Sequence, residues 1–180
     1  EQRVKGHATA VRGFSFNSTG RLLLSYAAHD LKIWNASTLQ PMHALDQQEY
    51  ADIRFGVFSI ADGFIYFNSG SRLYKTRSDL SQAVMRLYDF TESITGGVIT
   101  PDRSVLIFSA GNKLRLINTR SDNVVQEIQV SAASVENLAL VPGNRLATWS
   151  SDGTVTLWSI RFGQLVQEPL VRFKAGVSSP

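Results

Sequence analysis

Short apolar segments recur at a nearly constant spacing along the chain. Leu31-Lys32-Ile33-Trp34-Asn35 and Val155-Thr156-Leu157-Trp158-Ser159 lie 124 residues apart, a distance that divides into steps of 42, 41 and 41. The same steps align Val11, Ile53, Ile94 and Val135, then Phe16, Phe58, Ile99 and Leu140, then Leu23, Ile65, Leu106 and Ala147. Two further columns hold Leu31, Leu73, Leu114 and Val155, and Met42, Val84, Val125 and Val166. Five apolar columns at fixed steps define an internal repeat. Within a unit the columns fall in four strand-length segments, clearest at 135–140, 146–150, 155–159 and 165–168. Turn residues separate them, as in Asn17-Ser18-Thr19-Gly20, Ala61-Asp62-Gly63, Pro142-Gly143-Asn144 and Ser151-Asp152-Gly153. No segment sustains a helical period over the roughly ten residues a helix requires.

Four antiparallel strands per unit, repeated, predict an all-β fold: a β-propeller segment of about four four-stranded antiparallel blades. A single irregular sandwich would not account for the constant step. The blades are expected at 6–47, 48–88, 89–129 and 130–170, with 1–5 as the end of a preceding blade and 171–180 as the start of the next. An open arc would leave apolar flanks exposed. The segment is therefore expected to belong to a larger ring, closed by more of the propeller or by another chain. Small residues in the first strands (Gly13, Gly56, Gly96 and Gly97) fit close packing where blades converge.

The ends of the first and fourth units carry motifs. Gly6-His7 opens the first and Ile33-Trp34-Asn35 closes it, while the fourth runs Ser150-Ser151-Asp152-Gly153-Thr154-Val155-Thr156-Leu157-Trp158-Ser159. These residues resemble the WD-repeat (WD40-type) family. The resemblance implies a ring of about seven blades. It also implies a structural hydrogen-bonded network of a turn Asp, a His, a second-strand Ser or Thr and the Trp. Carried over, the first unit offers His7, Ser25 and Trp34, with Ala28 at the turn position and Asp30 displaced from it. The fourth offers Ser150, Asp152 and Trp158, with Ser131 where the His would stand, and Thr76 and Ile117 occupy the Trp position of the middle units. Lys75 falls in an otherwise apolar column, so a register change or an opened edge is expected there. Residues 114–125 are also similar to YVTN-type propeller repeats, but Gly6-His7 and the two Trp closures favour the WD family.

Composition narrows the function. Of 180 residues, 43% are hydrophobic and 18% charged, which is globular. No apolar run approaches the ~20 residues of a membrane helix, so no membrane insertion is expected. The chain has no cysteine, which excludes disulfides and thiolate metal sites and favours an intracellular setting, cytoplasm or nucleus. His7, His29 and His43 show no metal-ligand spacing, and there is no phosphate loop or nucleophile elbow. No catalysis, cofactor or metal is expected.

Surface remains. The resemblance implies that partners bind on the face bearing the loops between fourth and first strands and between second and third strands. Those loops carry His29, Tyr50, Asp52, Arg54, Arg72, Lys113 and Glu136, beside Asp30, Glu49, Ser71, Asn112 and Asp152. Tyr50, Arg54 and Arg72 lead, because Tyr and Arg are enriched at binding hot spots. The expected role is a non-catalytic scaffold that binds proteins or peptides in a multiprotein assembly. Two alternatives stand beside it: a propeller of an RNA-associated complex of the ribosome-maturation type, contacting phosphate through basic loop residues, and a YVTN- or quinoprotein-like propeller. The net charge of +3 is spread over scattered residues, which fits a solvated surface better than a nucleic-acid groove.

Overall fold

Tight turns and period-two alternation produce strands throughout. The computed structural model describes residues 6–46 and 50–174, so the expectations placed on 1–5, Glu49 and 175–180 lie outside the described residues. The chain divides into two units, Glu1–Ile94 and Thr95–Pro180. The first holds two antiparallel sheets, each in consecutive strand order. Sheet one is β1 (Gly13–Phe16), β2 (Leu22–Tyr26), β3 (Asp30–Asn35) and β4 (Pro41–Asp46). Sheet two is β5 (Gly56–Phe58), β6 (Phe64–Ser69), β7 (Arg72–Arg77) and β8 (Met85–Asp89). The β1–β2 turn closes on Gly20, at φ 69°, and on Asn17, whose side-chain oxygen accepts the Leu22 N–H at 2.9 Å.

One face of sheet one presents Leu24, Leu31, Ile33 and Leu45 to Ile53, Phe58, Ile65 and Phe67 beside it. The inner strands approach closely. A Cβ at Gly56 would stand 3.1 Å from side-chain carbons of both Leu24 and Leu31, and Ser15 Oγ donates to the Gly56 carbonyl at 2.9 Å. The small residues expected in the first strands therefore include one whose size is set by contact. The opposite face of sheet one leaves Phe14 and Phe16 exposed.

The second unit repeats the plan. Sheet three is β9 (Ile94–Ile99, starting on the last residue of the first unit), β10 (Val105–Ala110), β11 (Lys113–Asn118) and β12 (Val124–Gln129). Sheet four is β13 (Val135–Val141), β14 (Arg145–Ser150), β15 (Thr154–Arg161) and β16 (Gln164–Lys174). Val105, Ile107, Leu114 and Leu116 pack with Val135, Leu138, Leu146, Trp158, Ile160 and Leu165. Thr95 Oγ1 donates to the Val135 carbonyl at 2.7 Å. On the outer strands, the Gln126 amide donates to the Leu165 carbonyl at 3.1 Å and accepts its N–H at 2.8 Å, so a side chain stands in for a strand.

A main-chain hydrogen bond recurs where one sheet ends and the next begins. The N–H of the first-column residue reaches back to the turn between the second and third strands of the preceding sheet. Ile53 donates to the Ala28 carbonyl at 3.1 Å, Ile94 to Gly70 at 3.0 Å and Val135 to Gly111 at 2.8 Å. All three donors have fully buried side chains.

Three expectations are revised. First, β16 continues to Lys174, which pairs with Thr154, so residues 171–174 extend the fourth sheet instead of opening a fifth unit. Second, Lys75 opens no edge. It pairs with Tyr66 in regular register, and its ammonium lies 4.2 Å from the centre of the Phe64 ring and 5.4 Å from that of Tyr66. Every sheet carries a register shift between its third and fourth strands, at Ile33/Trp34, Leu73/Tyr74, Leu116/Ile117 and Thr156/Trp158. In sheet two it falls two residues earlier than the repeat step would place it, so the register change expected at Lys75 lies close by, with Lys75 itself paired to Met85. Third, Met42, Val125 and Val166 of the fifth apolar column are exposed, Met42 and Val125 as the residues left unpaired at the shift.

The first column offers a direct stability test, because Ile53 is 0% exposed and Val11 is 55% exposed. Ile53→Ala should lower unfolding free energy by about 2–5 kcal/mol, and Val11→Ala by less than about 0.5 kcal/mol. Urea denaturation followed by tryptophan fluorescence measures both.

Candidate interaction surface

The motif residues of the first sheet meet in one buried cluster. Trp34 Nε1 donates to Ser25 Oγ at 2.8 Å, and Ser25 Oγ lies 2.6 Å from His7 Nε2. Ser25 Oγ accepts from the indole and shares a second hydrogen bond with the imidazole. His7 Nδ1 stands 2.8 Å from Asp30 Oδ1, a close contact without linear hydrogen-bond geometry. Lys32 lies 3.6 Å from the other Asp30 oxygen and donates to the Gly6 carbonyl. Asp30, not the turn position at Ala28, therefore supplies the carboxylate. The turn is short, closed by Ala27 N–H to the Asp30 carbonyl at 3.0 Å, and it brings the head of β3 to the histidine.

In the fourth sheet the expected set is not assembled. Trp158 Nε1 donates to Thr148 Oγ1 at 3.0 Å. Ser150 Oγ is buried and makes no hydrogen bond, and exposed Asp152 accepts the Thr154 N–H within its turn at 3.0 Å. Register gives the reason. Trp34 pairs with Leu23 and bonds the residue two further along β2, while Trp158 pairs with Leu146 and bonds the residue two further along β14. The turn of the fourth sheet is one residue longer, so counting by the repeat step misses this diagonal. In the middle sheets the same diagonal runs from Thr76 to Phe67 and from Ile117 to Phe108, all four buried. Thr76 Oγ1 has no hydrogen-bond partner there.

The loop residues separate into pairs. Asp52, at φ 57°, accepts from Arg12 at 2.6 Å and from Arg54 Nε at 3.0–3.1 Å. Partial desolvation pushes the Asp52 carboxyl up, but the hydrogen bonds and charges of Arg12 and Arg54 outweigh it and hold the pKa below the ordinary value. Asn68 fixes the same loop. Its oxygen accepts the N–H of Arg54 at 2.7 Å and of Phe55 at 3.1 Å, and its amide donates to the Asp52 carbonyl at 3.1 Å. His29 Nδ1 lies 3.0 Å from the Tyr50 carbonyl. In the second unit, Lys113 and Arg115 both donate to Glu127, at 2.6 and 2.8 Å, and Glu136 is exposed.

Tyr50 is not the exposed anchor the loop position implied. It is 4% exposed, with its ring edge-on to Phe67 at 5.4 Å and to Tyr74 at 5.3 Å. It nevertheless shares a cavity of about 330 Å³ with Arg72, Tyr74, Val84 and Arg86. Arg72 Nε donates to Asp89 Oδ1 at 3.0 Å, and Arg86 lies 3.5 Å from Asp89 Oδ2. A hydrogen bond to the Tyr74 phenol, then the charges of Tyr74 and Asp89, raise the Arg72 pKa. Tyr50 and Arg72 thus line one cavity with Tyr74 and Arg86, which the loop positions alone do not single out. Arg86 faces Tyr74 only because the register shift of sheet two is displaced. Among the described residues, no group of three His, Cys, Asp or Glu side chains could hold a metal, and no helix is long and apolar enough to cross a membrane.

No family model matches the chain. The human WD repeat-containing protein 3 is 26% identical over 156 residues, covering 86% of this chain. The crystal structure of the Myceliophteria thermophila Cps50 (Swd1) β-propeller domain superimposes with a TM-score of 0.79 at 14% identity, over 96% of this chain. The chain spans 12% of the length of the first and 61% of the second. With four four-stranded antiparallel sheets, the fold is that of a β-propeller. Its repeats are similar in sequence to those of a WD repeat-containing protein.

Two predictions test the cluster and the clamp. Ser25→Ala should destabilise by about 1–3 kcal/mol, because it strands the Trp34 N–H and a His7 nitrogen, while Ser150→Ala should be neutral or slightly stabilising by calorimetry. Asp52 has a depressed native pKa, so its contribution is complete above the unfolded-state carboxylate pKa of about 4 and disappears as pH falls through the lower native value. Asp52→Asn should remove that component from an acid-unfolding curve, leaving the curve unchanged if the clamp contributes nothing.

Proposed function

We propose that the chain is a non-catalytic scaffold in a multiprotein assembly, presenting its loops to protein or peptide partners. WD-repeat propellers are in general protein-interaction scaffolds, and the loop chemistry supports that role here. One observation carries it: the charged loop side chains of the first unit are locked before any partner arrives. Arg12, Asp52 and Arg54 clamp one another, Asn68 ties their backbone, and Arg72 is held on Asp89. Side chains already ordered lose less entropy on binding. The exposed Phe14 and Phe16 on the free face of sheet one support further propeller or another chain covering that flank. The absence of cysteine suits a reducing compartment.

Replacing Arg54 and Arg72 together by Glu should reduce partner capture at least tenfold in a quantitative cross-linking pull-down, with the variant still folded by circular dichroism at the assay temperature. Undiminished capture by a folded double variant would overturn the proposal.

A further inference from the structure

We propose that the cavity beside Tyr50 receives an anionic side chain from a partner peptide, gripped by Arg72 and Arg86 against the Tyr50–Tyr74 wall. The inference deepens the scaffold role and rests on it. Charge comes first. The lining holds two guanidinium groups and, among the described residues, no carboxylate. Asp89 stands behind them and takes one contact from each, so the pair keeps one net positive charge and several of its ten N–H donors. The planar arginine fork matches a carboxylate or phosphate with two parallel hydrogen bonds.

Rigidity comes second. Tyr74 is stacked on Phe67 at 5.3 Å and 15°, and Tyr50 closes edge-on against both rings. The wall is therefore aromatic and fixed, while the guanidinium groups at its rim remain about half exposed. Tyr50, Tyr74 and Val84 offer apolar surface beside the charge, which suits an acidic residue flanked by an aliphatic or aromatic one. A cavity of about 330 Å³ accommodates such a pair. One net charge falls far short of the several phosphates a nucleic acid must have neutralised. A peptide is the fitting partner.

Local strand register builds the site. The shift at Leu73/Tyr74 sets Tyr74 opposite Arg86, close to the Arg72–Asp89 pair. No other sheet has its shift at this position, so the pocket is particular to sheet two.

The test uses the whole 180-residue chain and fluorescence anisotropy with four labelled probes. Three are nonapeptides on a Gly-Ser background with a central Phe-Glu-Glu, Phe-phosphoserine-phosphoserine or Phe-Gln-Gln, and the fourth is nine-residue oligouridylate RNA. At least one anionic peptide should bind tenfold or more tightly than the Gln peptide, and the tighter of the two identifies carboxylate or phosphate as the preferred anion. Arg72→Gln with Arg86→Gln should abolish that difference, while Arg120→Gln with Arg161→Gln, an equal loss of charge elsewhere, should preserve it. Three results would overturn the assignment: equal binding of all peptides, a preference that survives the Arg72/Arg86 changes, or RNA binding more tightly than both anionic peptides through those arginines. If the assignment fails while Arg54/Arg72 reversal still prevents partner capture, the scaffold role stands and only the pocket is lost.

Discussion

Everything in this fold hangs on a backbone hydrogen bond that is made once per repeat. The N–H of Ile53, Ile94 or Val135 reaches the carbonyl of Ala28, Gly70 or Gly111 in the turn between the preceding sheet's second and third strands. The same residue drives its side chain into the core. One position thereby fixes where a sheet begins and how deeply its first strand is inserted. A buried N–H left without an acceptor would be costly, so the turn and the first strand must keep their spacing even as their side chains change.

That constraint explains why the side-chain network can erode. In sheet one the full set is present, with Trp34, Ser25, His7 and Asp30 in contact. Sheet four retains only the indole-to-hydroxyl bond, from Trp158 to Thr148. Sheet three replaces the diagonal by Ile117 and Phe108, trading a buried hydrogen bond for apolar packing. A fully apolar replacement leaves no polar group stranded, whereas the half-replaced pair in sheet two strands the Thr76 hydroxyl.

The fold was legible in the sequence because period and turn chemistry are local properties. The 42-41-41 step, the strand-length segments and the Asn, Asp and Gly turns all have their counterparts among the sixteen strands. The sites were legible only where they depended on motif residues close to a turn of standard length. Thr148 was missed because one extra turn residue changes which hydroxyl lies diagonal to Trp158. Tyr50 occupied the right loop, but its ring was free to fold inward onto Phe67, and no pattern in the chain declares that choice. Arg86 became relevant through a displaced register shift, a property of pairing between strands and not of either strand alone.

The shift between third and fourth strands has a further consequence for how such a chain can change over generations. It acts as a slip joint. On the inner side of it, three strands are locked to one another. On the outer side, Met42, Leu87 and Val125 are the unpaired extra residues of β4, β8 and β12. A residue gained or lost at that joint is absorbed where it occurs, without turning the inner strands inside out. The outer strands are therefore the part of each repeat that can lengthen, as β16 has done over eleven residues, while the inner frame stays constant.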